Sequence, residues 1–417
     1  MTRVRVVFGG RNVGILSRKK GRPDYSFAYD PDWIDTGVEL SPIHLPLSGD
    51  PFEFSIPYFR DLPGLVFDSL PDAYGQKILR QQMQRMPEED RGPLGMLALV
   101  GEDGVGALEY HPSDDATDEL SSIAAAEQFA EAIEALEPGA VYAIEERERA
   151  FVASAGNIGG KHPKSTGFWN PGTGEVVVGR AWPGAGWRSV VIKYNLNEAA
   201  PLDRIEQVYM EMAALSGIAC AKSFVLPTKR FSHFVSVRFD RGGPENEKVH
   251  MHSYAGIQHL DFNQRGSTYE DFLGTVLRVS KSQEQVFEAF RRAVFNVMAH
   301  NQDDHPRNFS FLMGADARFS LAPSYDLTLT QPNDGEGNWM SINGKTLGIT
   351  FRDIDRDIEY LGESFGIRRD AIRDVVDQVQ AGIAAFDRLA RSYCIGDGYR
   401  SYVRQALRAN QIGVKVS

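Results

Sequence analysis

From Val286 to Met298 the apolar residues Val286, Phe287, Phe290, Val294, Val297 and Met298 fall on one stripe of a 3.6-residue period, which predicts a helix delivering the chain to Asn301. Past Asn308 the pattern changes. Phe309-Ser310-Phe311-Leu312 and Phe319-Ser320-Leu321 read as two short strands turned at Gly314-Ala315-Asp316. Near the N-terminus, Arg3–Phe8 and Val13–Leu16 flank Gly9-Gly10-Arg11-Asn12 as a hairpin, with Tyr25–Tyr29 as a third strand. Asp72 is placed to cap a helix with Tyr74–Met86 as its body, and Ala107–Tyr110 reads as a strand. The polar stretch His111–Asp118 contains Pro112 and reads as a linker. A helix is then expected over Ile123–Leu136, ended by Glu137-Pro138-Gly139.

From about residue 151 the chain turns to glycine-rich turns and β runs: Glu175–Val178, Ser189–Lys193 and Phe234–Phe239. Beyond about 268 it is mainly helical, with Ile367–Tyr393 clearly amphipathic. The class expected is α+β, with a β-rich part and a helical part facing each other across a cleft. The expected division is a β-rich N-terminal subdomain over 1–115, a small lobe over 116–265 and an α-helical large lobe over 266–417.

Composition narrows the field. With 417 residues the chain can hold two or three cores. Apolar content of 42% and charged content of 24% are those of a water-soluble globular protein. A net charge of −11 argues against nonspecific nucleic-acid binding by the bulk surface. Two cysteines, Cys220 and Cys394, cannot build a disulfide framework and are expected to be buried apolar residues in a reducing compartment. MTRVRVVFGG has no secretory apolar region, and no segment reaches the roughly 20 apolar residues of a membrane span, so the expected location is the cytoplasm.

The densest chemistry lies in Asn301-Gln302-Asp303-Asp304-His305-Pro306-Arg307-Asn308, followed eighteen residues after Asn308 by Asp326 within Tyr325-Asp326-Leu327. Kinase-like phosphoryl transfer needs this set. A carboxylate accepts or orients the attacking hydroxyl, and an Asn and a second Asp hold the Mg²⁺ that bridges the phosphates. The protein-kinase loop has the same order of Asp, basic residue, Asn and later metal Asp. Here His305 follows the Asp, and Leu327-Thr328 follows the metal Asp where kinases carry Phe-Gly. Taken alone, the run would read as a polar loop of capping Asp and Asn residues.

Companion segments change that balance. Ser154-Ala155-Gly156-Asn157-Ile158-Gly159-Gly160-Lys161-His162-Pro163-Lys164 is a glycine-rich loop able to turn backbone N–H groups toward phosphate, with Lys161 and Lys164 adding charge. It lacks the Gly-Lys-Ser/Thr ending of a Walker A loop. Val190-Val191-Ile192-Lys193 is an apolar strand ending in a Lys suited to the α/β-phosphates of a nucleotide. Asp203-Arg204-Ile205-Glu206 opens a helix running to Leu215 and ended by Gly217, and Glu206 is the expected ion-pair partner of Lys193, ahead of Glu211. Val237-Arg238-Phe239-Asp240-Arg241 leaves the small lobe as a hinge where an adenine would meet backbone groups, Phe239 could flank the base and Asp240 reach a ribose; a buried strand with an ion-paired Asp is the other reading. The histidines His250, His252, His259 and His305 admit a Zn²⁺ cluster, although His250-x-His252 reads better as a helix entry behind the hinge.

In this order the segments resemble the HipA family, bacterial serine/threonine kinases that act as toxins in type II toxin–antitoxin modules. The resemblance spans nearly the whole chain. It rests on Leu65-Val66-Phe67-Asp68-Ser69-Leu70-Pro71-Asp72, on Val237–Arg241, on His250-Met251-His252-Ser253-Tyr254-Ala255 and on Asn301–Phe309. It implies a kinase-like two-lobe fold, ATP and Mg²⁺ as cofactors, and Asp303 as catalytic residue with His305 orienting its loop. Asn308 and Asp326 become the metal ligands. The nucleotide is then met by Ala155–Lys161, Lys193, Glu206, Val237, Phe239, Asp240, His305, Asn308 and Asp326. It further implies an aminoacyl-tRNA synthetase as protein substrate, growth arrest as outcome, and a HipB-like helix-turn-helix antitoxin through which alone the chain meets DNA. Many members carry a serine in the glycine-rich loop whose autophosphorylation silences the kinase. Alignment on Gly159-Gly160 puts Asn157 at that place, and alignment on Ala155-Gly156 puts Ala153 there. The expectation is therefore no self-inactivation, or self-inactivation at Ser154 or Ser165.

Two rivals use the same residues. A kinase of small molecules, such as an aminoglycoside or a sugar, would need the same loop with an acid-lined acceptor site. A non-catalytic kinase-like binding module would need only the fold.

Overall fold

The computed structural model describes residues 2–18, 24–71, 73–84, 86–113, 120–135, 162–197, 199–329, 338–346 and 354–409. The expected glycine-rich loop, including Ala155, Gly156, Asn157, Ile158, Gly159, Gly160 and Lys161, lies outside them, as do Asp72 and Glu137-Pro138-Gly139.

The N-terminal part is a five-stranded antiparallel sheet in the order Phe52–Phe54, Tyr25–Tyr29, Arg11–Arg18, Arg3–Phe8, Leu108–His111. Its first hairpin turns at Gly9 and Gly10, both left-handed with φ +55° and +75°, a turn that only glycine makes without strain. Val4 and Val6 point into the core while Arg3 and Arg5 face solvent, the alternation of a half-buried strand.

The small lobe is a six-stranded antiparallel sheet in the order Ser223–Pro227, Ser232–Val237, Arg188–Lys193, Lys164–Trp169, Val176–Gly179, Leu120–Ser122. The helices Ala73–Met83 and Ile123–Glu134 cover one face of this sheet through Tyr74, Ile78, Phe129 and Ile133, which form one core with Val178, Val190 and Ile192. The helix Leu202–Leu215 packs against its strands Ser223–Pro227 and Ser232–Val237.

The large lobe is built on the helices Tyr269–Ser280 and Gln283–Met298, with Ile354–Ser364, Arg369–Ala384, Phe386–Ser392 and Asp397–Ala409 around them. The predicted hairpin forms, as Ser310–Met313 paired with Phe319–Leu321. A third strand, His250–Ser253, adds to Ser310–Met313. Sheet pairing thus joins residues 250–253, ahead of the expected boundary at 265, to the large lobe.

The N-terminal sheet has no core of its own. Val4, Phe27 and Tyr110 belong to the same buried cluster as Phe272, Phe290 and Phe295 of the large lobe. The expectation of two buried cysteines is corrected: Cys220 is half-buried and Cys394 is exposed, because Cys394 sits in a left-handed turn between two helices. Among the described residues no helix is long and apolar enough to cross a membrane.

Candidate functional site

The catalytic-loop candidate is pinned before it is presented. The helix Gln283–Met298 stops at Ala299, and Asn301 folds back so that its side-chain amide donates to Asn296 Oδ1 at 3.0 Å. Asp304 then enters the core, only 1% exposed, and accepts from Tyr269 Oη at 2.6 Å, Asn338 Nδ2 at 3.0 Å and the Trp339 amide at 2.7 Å. Burial pushes its pKa up against those donors. Of two adjacent aspartates, Asp304 is thus an anchor and Asp303 is left free to act, its side chain 41% exposed.

Asn308 closes the loop. Its Nδ2 donates to the Asp303 carbonyl at 2.7 Å. A carbonyl can only accept, so this bond fixes the amide orientation and turns Oδ1 away as a free acceptor. His305 starts the short 3₁₀ turn Pro306–Asn308, with Nε2 4.0 Å from Asp303 Oδ1. Its ring lies against Phe262 and Trp339.

Asp326 arrives after the hairpin in a left-handed conformation, φ +57°, which costs an aspartate strain and is held by its surroundings. Ser324, two residues earlier, donates its amide to the Ala219 carbonyl and accepts from the Ala221 amide, so the segment is stitched to the base of the small lobe. Tyr325 donates to the Arg307 carbonyl at 2.8 Å and lies within 2.6 Å of Ser310 Oγ.

Lys193 spans the cleft. Its Nζ lies 2.5 Å from Glu206 Oε1 and 2.5 Å from Asp326 Oδ1, the first being the expected pair and the second a link between the lobes. Burial alone would lower the Lys193 pKa, but the two carboxylates outweigh it and hold the ammonium charged. Burial likewise opposes ionisation of Asp326, and Lys193 and Lys164 overcome it, so the carboxyl sits well below its usual range. Glu206 stays under the dominant effect of burial and rises to about 7. Lys164 pairs across the strands with Lys193, is 4% exposed, and is lowered by burial and by Lys193 to about 8. Its inward place follows from strand register, which the glycine-rich context alone did not signal.

The hinge segment divides. Val237 pairs with Val190, and Phe239 packs its ring 5.4 Å from that of Tyr325, so both stay beside the cleft. Asp240 does not, which corrects the expectation of a ribose contact. It is 4% exposed and accepts from the Gly106 amide at 2.8 Å, from Arg238 at 2.7 and 2.9 Å, and from Arg241 at 3.0 Å. The carboxylate binds the N-terminal subdomain to the core and has no role left for a ligand.

The four histidines do not gather, and the described residues hold no group of three or more His, Cys, Asp or Glu able to bind a metal. His250 hydrogen-bonds the Leu40 carbonyl, His252 meets Asp68 and Ser41, and His259 accepts from the Gly64 amide. The donor set fit for a cation is instead Asn308 Oδ1 with the ionised Asp326, hard oxygen donors of the kind Mg²⁺ takes. The structure therefore brings together Asp303, His305, Asn308, Asp326, Lys193 and Glu206.

Comparison with known proteins places this architecture. A family model described as the HipA-like C-terminal domain matches residues 156–386, and one described as the HipA N-terminal domain matches residues 4–111. The chain is 24% identical over 407 residues to "Putative kinase Y4mE" of Sinorhizobium fredii, covering 91% of this chain and 90% of that protein. It is 29% identical over 108 residues to a "Putative kinase" of Haemophilus influenzae, covering 24% of this chain and 31% of that one. Among solved structures, the toxin–antitoxin complex of HipA, HipB and operator DNA from Shewanella oneidensis superposes with a TM-score of 0.68 at 17% identity, over 97% of each chain. The two folds are the same.

Proposed function

The chain belongs to the HipA family, and from that premise we propose that it is an ATP- and Mg²⁺-dependent serine/threonine protein kinase acting as the toxin of a toxin–antitoxin module. The observation that carries the reading is the convergence of an exposed Asp303, a free Asn308 Oδ1 and Asp326, with Lys193 held between Glu206 and Asp326. In this reading Asp303 orients the acceptor hydroxyl and takes its proton. Lys193 grips the α/β-phosphates, and Glu206 keeps its ammonium on the cleft side. Asn308 and Asp326 hold the Mg²⁺, which when bound offsets the negative charge of the phosphates. Asn308, tied to the Asp303 backbone, sets the spacing between cation and nucleophile.

The substrate proposed is a protein, an aminoacyl-tRNA synthetase, whose modification arrests growth, and the partner a HipB-like helix-turn-helix antitoxin. A chain of net charge −11 gains access to DNA through a basic partner. The solved relative is itself described with HipB and operator DNA, which supports that assignment.

The test is incubation with γ-labelled ATP and Mg²⁺, with and without a bacterial lysate, beside Asp303→Ala. A labelled band of synthetase size, absent in the variant, is the expected result. No labelled protein in either sample would overturn the protein-kinase reading.

A further inference from the structure

The loop that carries Asp303 and Asn308 is gripped from outside the two lobes. Arg307 points away from the cleft into the N-terminal subdomain. Its guanidinium carbon lies 5.3 Å from the ring centre of Phe67 and 5.0 Å from that of Phe262, and Nη2 donates to the Leu70 carbonyl at 3.3 Å. Phe67 and Leu70 come from one subdomain and Phe262 from the segment between the helices Tyr254–Gln258 and Tyr269–Ser280, so the guanidinium is a wedge between the two. A planar cation suits a slot of two rings and a carbonyl; an ammonium does not fill it.

The same short stretch grips the strand that flanks the loop. Asp68 accepts from the Ser253 amide, from Ser253 Oγ and from His252 Nδ1, all at 2.6 Å. Ser253 ends the strand paired with Ser310–Met313, directly after the loop, and the next amide, Tyr254, donates to the Phe309 carbonyl at 2.8 Å. Gly64 lets the helix Gly64–Phe67 lie against the Gly256 backbone of the helix Tyr254–Gln258, where a Cβ would collide, and a Cβ at Gly256 would strike the side chains of Asp68 and His252. Arg307 and Asp68 thus hold the loop at its middle and at its exit.

We infer that Arg307 is a positioning residue through which Phe67 and Leu70 of the N-terminal subdomain, with Asp68 holding the flanking strand, fix the Asp303–Asn308 loop in its working geometry. The subdomain is then part of the phosphoryl-transfer apparatus and not an appended module. The inference deepens the kinase reading and rests on it for its catalytic meaning. Arg307 touches no reacting atom; it acts by holding Asn308, its neighbour, and the carbonyl that Tyr325 bonds.

The experiment is hydrogen–deuterium exchange of the full chain, comparing wild type with Arg307→Lys, Phe67→Leu and Val13→Ala. Val13 is fully buried in the strand Arg11–Arg18, an element other than those carrying Phe67 and Leu70, and controls for a general loss of stability. The inference expects peptides over 301–309 to exchange at least about tenfold faster in Arg307→Lys and Phe67→Leu and to keep wild-type rates in Val13→Ala. Unchanged exchange at 301–309 in the first two variants, or equal acceleration in all three, overturns it. This readout needs no activity, so a wild type that transfers no phosphate would sink the kinase reading and leave the positioning claim to the exchange data. Where transfer is observed, Arg307→Lys should lower kcat by about tenfold or more with the KM for ATP unchanged.

Discussion

Lys193 Nζ sits 2.5 Å from Asp326 Oδ1, so the lysine proposed to grip phosphate neutralises the carboxylate proposed to hold the cation. In the proposed reaction, nucleotide and cation therefore compete with an internal ion pair. Free divalent cation should bind weakly, because Asp326 already has a positive partner. Lys193→Met removes that partner. Titration with Mn²⁺ followed by electron paramagnetic resonance, without nucleotide, should show affinity rising about tenfold in the variant, the direction Coulomb's law requires, while transfer from ATP is lost. Equal Mn²⁺ affinity would show that the pair does not govern the cation site.

Asp303 and Asp304 should separate cleanly by mutation. The Asp303 side chain is partly exposed and is not a structural anchor, so Asp303→Asn should change stability by less than about 0.5 kcal/mol and reduce transfer about 100- to 10,000-fold, the range for losing a positioned base. Asp304→Asn should do the reverse first. It replaces an acceptor of three good hydrogen bonds with a group that can satisfy only some of them, at a cost of about 1–3 kcal/mol. Urea unfolding beside a transfer assay distinguishes the two.

That pair also marks what the amino-acid sequence could tell. The helix ending at Met298 and the hairpin after Asn308 were legible, because apolar spacing reports directly which face is buried. The Lys193–Glu206 pair was legible because strand, turn and helix lie close in sequence. Which of two neighbouring aspartates is buried was not encoded locally. Tyr269, Asn338 and Trp339, some 35 residues away on either side, decide it. An ion-paired Asp240 was one of two readings open from the sequence, and what could not be read was its partner amide at Gly106, 134 residues distant. Arg307 looked like the basic residue of a catalytic loop and proved to face the opposite way.

Asp240 should behave as an interdomain lock. Its neutralisation leaves Arg238 and Arg241 buried without their carboxylate, the situation in which breaking a buried pair costs about 3–5 kcal/mol. Asp240→Ala should lower the unfolding free energy by that amount, read as a fall in the urea midpoint at unchanged m. Nucleotide affinity per folded molecule should be unchanged, because the residue faces Gly106 and not the cleft. A selective loss of nucleotide binding in a stable variant would restore the ribose role.

Acid should loosen the seam between the N-terminal subdomain and the core through two histidines. His259 accepts from the Gly64 amide through Nε2, so that nitrogen carries no proton; burial, with His44 and His252 nearby, lowers its pKa to about 3. His250 bonds the Leu40 carbonyl, and burial, with His252 beside it, lowers it to about 4. A histidine whose folded pKa lies below its unfolded value binds more protons when unfolded. Its contribution to stability is complete above pH 6.5 and declines as pH falls toward 4 and then 3. At about 1.4 kcal/mol per unit, the whole window corresponds to a loss on the order of 3 kcal/mol for His250 and of 5 kcal/mol for His259. Glu206, raised to about 7 by burial, opposes the trend, since it gains protons on folding between its usual value and 7. The measurement is therefore a difference. Thermal midpoints from pH 7.5 to 5 should fall less steeply in His259→Asn, which tolerates the left-handed φ of +52° at that position, than in wild type. Parallel slopes would mean that His259 takes up its proton without opening the seam.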